Sequence, residues 1–215
     1  FVHTDYDMIL YPHCKINIGL DILRKREDGF HDIETVMLPV FGLHDRLEIK
    51  ERNSKGLEFA ATGLSIDGEP KYNLCVKAYN LIADRFGIPG ASILLHKKVP
   101  FGAGLGGGSS DAAFTIRCLN EVFGLGLDDE AMCSLAAELG SDTAFFINDI
   151  PQFASGRGEI LEPFDLPALD KYILAIVKPE VGVSTAIAYS GVKPFTPESA
   201  LKEIISSNIT DWRHG

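Results

Sequence analysis

The sequence has few cysteines, no long apolar run and a shortage of positive charge. Its 4 cysteines among 215 residues lie far apart and form no CxxC pair, which favours free thiols over a disulfide framework. No uninterrupted apolar stretch approaches the length of a membrane-spanning helix. Lys and Arg number 20 against 30 Asp and Glu, for a formal net charge of −10, which excludes a broad nucleic-acid surface. A chain of this kind that binds phosphate groups must do so locally.

The remaining composition is typical of a globular protein. Hydrophobic residues make up 46% of the chain and charged residues 23%, which is enough for a sizeable core and one or two domains. Cysteines without partners and the lack of a secretory leader pattern predict a cytoplasmic protein. Residues 1–7 follow neither a helical nor a strand period, so we expect them to be an appended or disordered end. The sequence does not determine an oligomeric state.

The chain opens with strand-like segments and changes to a helical period from residue 73 onward. Alternating or β-branched apolar segments indicate strands at residues 9–23, 30–40, 46–51, 57–61 and 91–99. Apolar residues recur with a helical period at residues 74–86, 112–123, 129–139 and 200–206. Asn73 and Asp128 are candidate caps at two of the helix starts. The apolar segment 172–177 predicts a further, buried strand.

The most informative stretch runs from residue 97 to residue 113 and reads KKVPFGAGLGGGSSDAA. Glycines remove side chains where a ligand needs bare backbone, and five of them fall here within seven residues: Gly102, Gly104, Gly106, Gly107 and Gly108. Ser109 and Ser110 then open a helical pattern. Exposed N–H groups, the positive end of a helix dipole and two hydroxyls together predict a cradle for the phosphates of a nucleotide.

Other glycine-rich phosphate loops fit this stretch less well. It contains the G-x-G-x-x-G of a Rossmann site, but the acidic residue about twenty positions later, Asp128, opens a helix instead of ending a second strand. A Walker loop requires Gly-Lys-Ser/Thr after the glycines, and a protein-kinase loop requires a strand where a helical pattern follows. A loop without a ligand would seldom place two serines and an aspartate at a helix start directly after an apolar strand. A phosphate site is therefore the favoured interpretation.

Four segments of the chain resemble the GHMP kinases. The stretch PFGAGLGGGSSDAA is similar to their second motif. Three further segments match, in chain order, the pattern of the 4-diphosphocytidyl-2-C-methyl-D-erythritol kinase branch: PHCKINIGL, REDGFHDIETV and LGSDTAFFI. The resemblance spans residues 9 to 190. The chain departs from the branch at Cys14, at 143–144 and at 148–150, where the family often has Arg-Gly. No counterpart of the family's third glycine motif occurs, so we expect an incomplete C-terminal domain.

The resemblance implies a fold and a reaction. The fold is α+β, that of a two-domain GHMP kinase. An N-terminal α/β domain with a mixed sheet, over residues 8–165, binds ATP and substrate, and a smaller ferredoxin-like α+β domain begins over 166–215. The reaction is ATP-dependent phosphorylation of a hydroxyl of 4-diphosphocytidyl-2-C-methyl-D-erythritol, with Mg²⁺, in the non-mevalonate isoprenoid pathway. Its products are the 2-phosphate and ADP. A kinase of the homoserine or phosphomevalonate type and a non-catalytic nucleotide-binding module are the alternatives.

The resemblance also implies roles for individual residues. Asp142 is the catalytic base and Lys15 is its partner, since a neighbouring cation favours an ionised carboxylate. ATP is bound by the glycine loop and its flanks, namely Gly102, Gly104, Leu105, Gly106, Gly107, Gly108, Ser109, Ser110, Lys97 and Asn73. The substrate is bound by Asn17, Phe30, His31, Thr185 and Tyr189. Phe30 would stack on the pyrimidine and His31 would hydrogen bond to its edge. Ser110 is the one magnesium ligand that the sequence suggests.

Overall fold

The computed structural model describes residues 8–66, 68–167, 169, 171–179, 188–189 and 191–214. The chain divides into two compact units, each assembled from separate segments. The first unit contains the chain up to Lys15, Val40–Phe101 and Leu105–Asp149. The second contains Ile16–Pro39, Gly102–Gly104 and the chain from Ile150 onward. The domain boundary that the sequence predicts near residue 165 stays a prediction.

Strands and helices alternate in the irregular order typical of an α+β protein. The strands are β1 (Met8–Leu10), β2 (His13–Lys25), β3 (His31–His44), β4 (Arg46–Arg52), β5 (Leu57–Gly63), β6 (Gly90–Lys97), β7 (Gln152–Ser155) and β8 (Ile160–Pro163). The α-helices are α1 (Leu74–Phe86), α2 (Gly107–Val122), α3 (Asp129–Leu139), α4 (Phe145–Asn148) and α5 (Leu201–Ser206). Short 3₁₀ helices occupy Pro70–Tyr72 and Ile209–His214. Among the described residues, no helix has the length and apolarity needed to cross a membrane.

A mixed four-stranded sheet forms the base of the first unit. Its order is β1-β4-β6-β5; β4 runs antiparallel to β1 and β6, whereas β5 runs parallel to β6. Successive strand side chains point to opposite faces, and here one face carries the buried apolar residues Leu47, Ile49, Ala91, Ile93 and Leu95. The predicted mixed sheet is thus confirmed.

Helix α2 lies at the centre of the first unit. It packs against α1, α3 and the strands β1 and β4, and it is buried on most of its circumference, including Ala112, Ile116 and Leu119. Burying each large aliphatic side chain of this kind contributes roughly 1.5–3 kcal/mol. The helix that follows the glycine loop is therefore anchored by the core over its whole length.

The ends of α1 and α3 are the ones that the sequence predicts. The Asn73 side chain accepts a hydrogen bond from the N–H of Cys75 at 2.9 Å, and Gly87 ends α1 in the left-handed region with φ +65°. The Asp128 side chain accepts from the N–H of Ala131 at 2.8 Å at the start of α3. Both predicted caps are confirmed.

The second unit is built on a second four-stranded sheet. Its order is β2-β3-β7-β8, with β7 antiparallel to both β3 and β8. Leu201 and Ile205 of α5 are buried with Val36 of β3 and Phe153 of β7. The predicted helix at 200–206 is confirmed by α5.

The prediction of a buried strand at residues 172–177 is wrong. The segment forms no strand, and the side chains of Ile173 and Val177 are 96% and 87% exposed. Its apolar, β-branched composition is suited to a strand, but no strand of the described chain pairs with it. A single extended segment without ladder hydrogen bonds or a surface to cover has no source of strand stability.

Candidate active site

Lys15 and Asp142 meet in the first unit. Lys15 lies on β2, close to the point where this strand leaves the unit, and its side chain is almost fully buried. Asp142 lies on the short turn between α3 and α4 with its side chain about one third exposed. The Lys15 ammonium contacts Asp142 Oδ2 at 3.2 Å. The structure thus brings together the two residues predicted to act on the substrate hydroxyl, 127 positions apart in the chain, and leaves the carboxylate open to a ligand.

The glycine loop lies directly against Lys15. The backbone N–H of Lys15 donates to the carbonyl of Leu105 at 3.0 Å. Gly106 has φ +69°, and a Cβ atom at this position would lie 3.1 Å from Lys15 Cγ and 2.7 Å from Phe146 Cζ. Only glycine fits both the backbone conformation and the space. Gly102 and Gly104 also have positive φ, at +63° and +71°, with open space around them.

Helix α2 begins within the glycine run and presents its amino end there. Gly106 is the cap residue, and no side chain caps the helix. The first N–H groups of a helix lack intrahelical partners and carry the positive end of the helix dipole, so Gly107, Gly108 and Ser109 offer their amides to an anion. The Ser110 hydroxyl is buried without a hydrogen-bond partner. These are the features that a phosphate group and its metal ion require.

Lys97 is not a surface residue but the centre of a buried ionic triad. Its ammonium lies between the carboxylates of Asp45 and Asp111, and all three residues are almost fully buried. Burial raises the pKa of Asp111 well above its ordinary value. For Lys97, burial lowers the pKa, but the attraction of Asp111 and Asp45 outweighs it and the pKa is raised. The ammonium would lie 3.3 Å from a Cβ at Gly107, behind the loop.

This arrangement gives Lys97 a role that the sequence prediction did not include. The ammonium has three N–H donors and two carboxylate partners, so the predicted contact of Lys97 with ATP stays a prediction. The strand alternation carried the signal, because Lys97 continues the buried series of Ala91, Ile93 and Leu95 along β6. Asp45 is 52 residues away in the sequence, and no local pattern connects it to the loop.

Asn73 is placed as a helix cap, as described above. Its carbonyl oxygen is committed to the N–H of Cys75, while its amide N–H₂ remains chemically suited to donate to a base. The predicted contact with adenine therefore stays a prediction, compatible with the cap.

Three of the predicted substrate residues lie in the second unit. Phe30 and His31 lie at the turn between β2 and β3, and Tyr189 lies on a later segment. The N–H of Arg26 donates to the carbonyl of Phe30 at 2.8 Å and closes the turn. Phe30 is 52% exposed, and the Arg157 guanidinium lies 5.1 Å from the centroid of its ring. The rings of His31 and Tyr189 have centroids 5.3 Å apart. The structure thus joins His31 and Tyr189, two of the residues predicted for the pyrimidine.

The remaining predicted substrate residues are less informative. Asn17 lies on β2 and is exposed. Thr185 lies outside the described residues. No group of three or more His, Cys, Asp or Glu side chains that could hold a metal ion occurs in the described part of the chain.

A second ionic cluster in the first unit was missed from the sequence. Asp149 accepts hydrogen bonds from His13 at 2.8 Å and from Arg117 at 2.7 Å. The signal that could have revealed it is the departure from the family pattern at residues 148–150, where an aspartate occupies a turn position that glycine favours. Asp149 has φ +53°.

Known proteins resemble the chain along most of its length. The family model for the GHMP kinases N terminal domain matches residues 73–156. A 4-diphosphocytidyl-2-C-methyl-D-erythritol kinase of Bacteroides fragilis is 49% identical over 209 residues, which cover 96% of this chain and 76% of the relative. The corresponding kinase of Parabacteroides distasonis is 45% identical over 206 residues, covering 96% and 74%.

A solved structure supports the same relationship. The crystal structure of a 4-(cytidine 5'-diphospho)-2C-methyl-D-erythritol kinase is 33% identical, with a TM-score of 0.75 over 92% of this chain and 70% of that one. This likeness confirms the predicted GHMP kinase fold. Together with the sequence identities, it establishes that the chain belongs to the 4-diphosphocytidyl-2-C-methyl-D-erythritol kinase family of the GHMP kinases.

Proposed function

We propose that this chain transfers the γ-phosphoryl group of ATP to a hydroxyl of 4-diphosphocytidyl-2-C-methyl-D-erythritol, and that Lys15 and Asp142 act on that hydroxyl. Family membership supports the reaction and its substrate. The observation that supports the two residues is the 3.2 Å contact of a buried ammonium with a partly exposed carboxylate beside the glycine loop.

The chemistry of this pair follows from its geometry. Asp142 accepts the hydroxyl proton while the hydroxyl oxygen bonds to the γ-phosphorus, and the bond from that phosphorus to the bridging oxygen of ADP breaks. The products are a phosphate ester and ADP. The Lys15 ammonium attracts the negative charge that develops on the attacking oxygen. Holding the hydroxyl in line with the phosphorus supplies much of the rate.

The amino end of α2 and the glycine loop are proposed to hold the phosphates of ATP. Mg²⁺ accepts oxygen ligands, keeps several waters and usually takes only one or two protein ligands besides substrate phosphates, so the unpartnered hydroxyl of Ser110 fits such an ion. When bound, the ion would neutralise phosphate charge. The cytoplasmic location predicted from the cysteines stays a prediction.

The aromatic residues of the second unit are proposed to bind the pyrimidine. An imidazole can donate or accept at the edge of cytosine, and a tyrosine ring beside it can stack on the face of a base. His31 and Tyr189 are paired in this way, and the exposed ring of Phe30 offers a further stacking surface. The role of Thr185 rests on the family resemblance alone.

The alternatives make different predictions. A homoserine or phosphomevalonate kinase would not be expected among relatives that are named as kinases of the cytidylated alcohol at 45–49% identity. A non-catalytic module would be expected to lack one member of the catalytic pair, whereas both are present and in contact.

A substrate panel tests the proposal. ADP release would be measured with the cytidylated alcohol, the same alcohol without its cytidine diphosphate, homoserine and phosphomevalonate, and each product would be identified by mass. We expect a phosphate ester from the cytidylated alcohol and at least a hundredfold lower kcat/KM for the others, because unfilled polar groups in the nucleotide site cost affinity (about 10²-fold or more). Preferred turnover of another alcohol would contradict the proposal.

A further inference from the structure

Asp149 joins the three elements that carry the proposed catalytic parts. Its two carboxylate oxygens accept from different partners: Oδ1 from His13 Nε2 at 2.8 Å and Oδ2 from Arg117 Nη1 at 2.7 Å. His13 lies on β2, Arg117 lies on α2, and Asp149 itself ends α4. All three residues belong to the first unit.

Each of these elements also carries, or directly adjoins, one part of the proposed active site. β2 carries Lys15, two residues after His13, so both side chains extend from the same side of the strand. α2 begins at the glycine loop. α4 follows directly after the turn that holds Asp142. The segment 142–149 and β2 are therefore linked twice, by Lys15 with Asp142 and by His13 with Asp149.

Phe146 fills the space between the two links. Its ring centroid is 5.5 Å from that of His13, and its Cζ lies 2.7 Å from the position of a Cβ on Gly106. The His13 ring also meets Phe41 and Phe114 edge-on, at 4.7 Å and 5.6 Å between centroids. Close-packed interiors transmit displacement because they contain no free volume to absorb it. A shift of His13 relative to Asp149 would therefore displace the glycine loop and the Lys15 side chain.

Both ring nitrogens of His13 have hydrogen-bond partners. Nδ1 lies 2.9 Å from the carbonyl oxygen of Cys14 and Nε2 lies 2.8 Å from the carboxylate of Asp149. An ionised carboxylate can only accept, so Nε2 donates to Asp149. Hydrogen bonds to an ionised group are shorter and stronger than neutral ones, so the contact with Asp149 fixes the position of the His13 ring.

The backbone supplies an independent observation. Among the described residues, Asp149 is the one non-glycine with positive φ, at +53°. This conformation is unfavourable for L-residues, although aspartate tolerates it better than most, and glycine adopts it without cost. Retaining a side chain here indicates that its contacts offset the strain. Burial raises the pKa of Asp149, but the hydrogen bonds from His13 and Arg117 outweigh burial, and the pKa is lowered.

We propose that Asp149 is a positioning residue for phosphoryl transfer: through His13 and Arg117 it sets the positions of Lys15 and of the start of α2 relative to Asp142. The proposal rests on the proposed function, because Asp149 acts through the Lys15–Asp142 pair and touches no reacting atom.

Two substitutions that tolerate the left-handed backbone test this role. Asp149→Gly removes both hydrogen bonds and relieves the strain, so we expect kcat to fall at least about tenfold, within the roughly 10²-fold that a misplacement of reacting groups by about 1 Å can cost, with KM for ATP within about twofold. Asp149→Asn keeps an acceptor for His13 and loses the charge, so it should retain more activity than the glycine variant. Glu138→Gln is the control, since it removes an exposed ion pair with Arg85 between α1 and α3, and its kcat should equal that of the unaltered protein.

The outcomes separate the possible explanations. Unaltered kcat in Asp149→Gly, a loss that appears only in KM, or an equal loss in Glu138→Gln would overturn the proposal. If the glycine variant does not fold, Asp149→Asn and His13→Gln decide by the same criterion. Nitrogen NMR of the unaltered protein provides a readout apart from activity: a proton on Nε2 of His13 is expected, and a ring without a proton on Nε2 would overturn the arrangement. Inactive Asp142→Asn beside fully active Asp149→Gly would contradict this proposal alone, whereas fully active Asp142→Asn would contradict the proposed function.

Discussion

Space and backbone conformation distinguish the glycines of the phosphate loop from one another. Gly106 has positive φ and no room for a Cβ, whereas Gly108 is helical and its nearest neighbour, Leu74 Cδ1, would be 3.6 Å from a Cβ. The sequence treats both as members of one glycine run. In the structure they differ. A side chain at Gly106 would have to displace Phe146 or Lys15, whereas a side chain at Gly108 would make an ordinary van der Waals contact.

Substituting these two glycines tests that distinction. Gly106→Ala should lower stability by about 1–2 kcal/mol from the left-handed backbone alone, and further if Phe146 cannot move. Gly108→Ala should leave the melting temperature unchanged or slightly raised, because alanine is a better helix former. Thermal unfolding measures both. Equal melting temperatures for the two variants would contradict this account of the loop.

The buried triad under the loop supports a second prediction. Lys97→Met removes the cation and leaves Asp45 and Asp111 facing each other in the core, which should destabilise the protein by about 3–5 kcal/mol. The control is Lys202→Met, which breaks an exposed pair with Glu162, where about 0–1 kcal/mol is expected. Chemical denaturation compares the two. A similar small cost in both variants would contradict the structural role of Lys97.

At the scale of secondary-structure elements, local signals were sufficient for α1 and α3 but insufficient for the short helix α4 and for an isolated strand. The boundaries of α1 and α3 follow from caps and from a helical period that is contained within each segment. Segment 172–177 has the composition of a strand but not its structure, since a strand depends on a partner that its own residues do not encode. The ionic contacts of Lys97 and Asp149 escaped prediction for the same reason, as their partners are distant in sequence.

The cap at the start of α1 allows the two roles of Asn73 to be tested separately. Asn73→Asp keeps a good cap but replaces the amide with a carboxylate, so if Asn73 contacts adenine, KM for ATP should rise severalfold at an unchanged melting temperature. Asp128→Ala removes the cap of α3 and should cost about 1 kcal/mol without changing KM. Steady-state kinetics and thermal unfolding decide. An unchanged KM in Asn73→Asp would leave Asn73 as a cap alone.

The junction of β2, α2 and α4 predicts a pH dependence of stability. The pKa of Asp149 is lower in the folded protein than in the unfolded chain, whose aspartates titrate at about pH 4. Its contribution is therefore complete above that pH and is lost as pH falls through the folded-state pKa. The difference in unfolding free energy between the unaltered protein and Asp149→Asn should shrink as pH falls from 7 to 3. A constant difference across this range would contradict the ionic contact.

At the scale of the whole molecule, the sequence motifs identified the family, whereas the fold brings the residues of the candidate active site together. Motif order and the glycine run predicted the phosphate site and the roles of Lys15 and Asp142, although 127 residues separate the pair. The overall charge of −10 gives no attraction for phosphate, so the amides and dipole at the start of α2 must supply it locally. The family resemblance, not the composition, connected these parts.

Phosphoryl transfer by an Asp142→Asn variant tests the central claim most directly. Asparagine keeps the size of the side chain and a hydrogen-bonding oxygen toward Lys15, but it cannot accept the hydroxyl proton. With ATP affinity and melting temperature verified as unaltered, the rate of phosphate-ester formation from the cytidylated alcohol should fall about 10²–10⁴-fold, the contribution typical of a general base. Turnover equal to that of the unaltered protein would contradict the assignment.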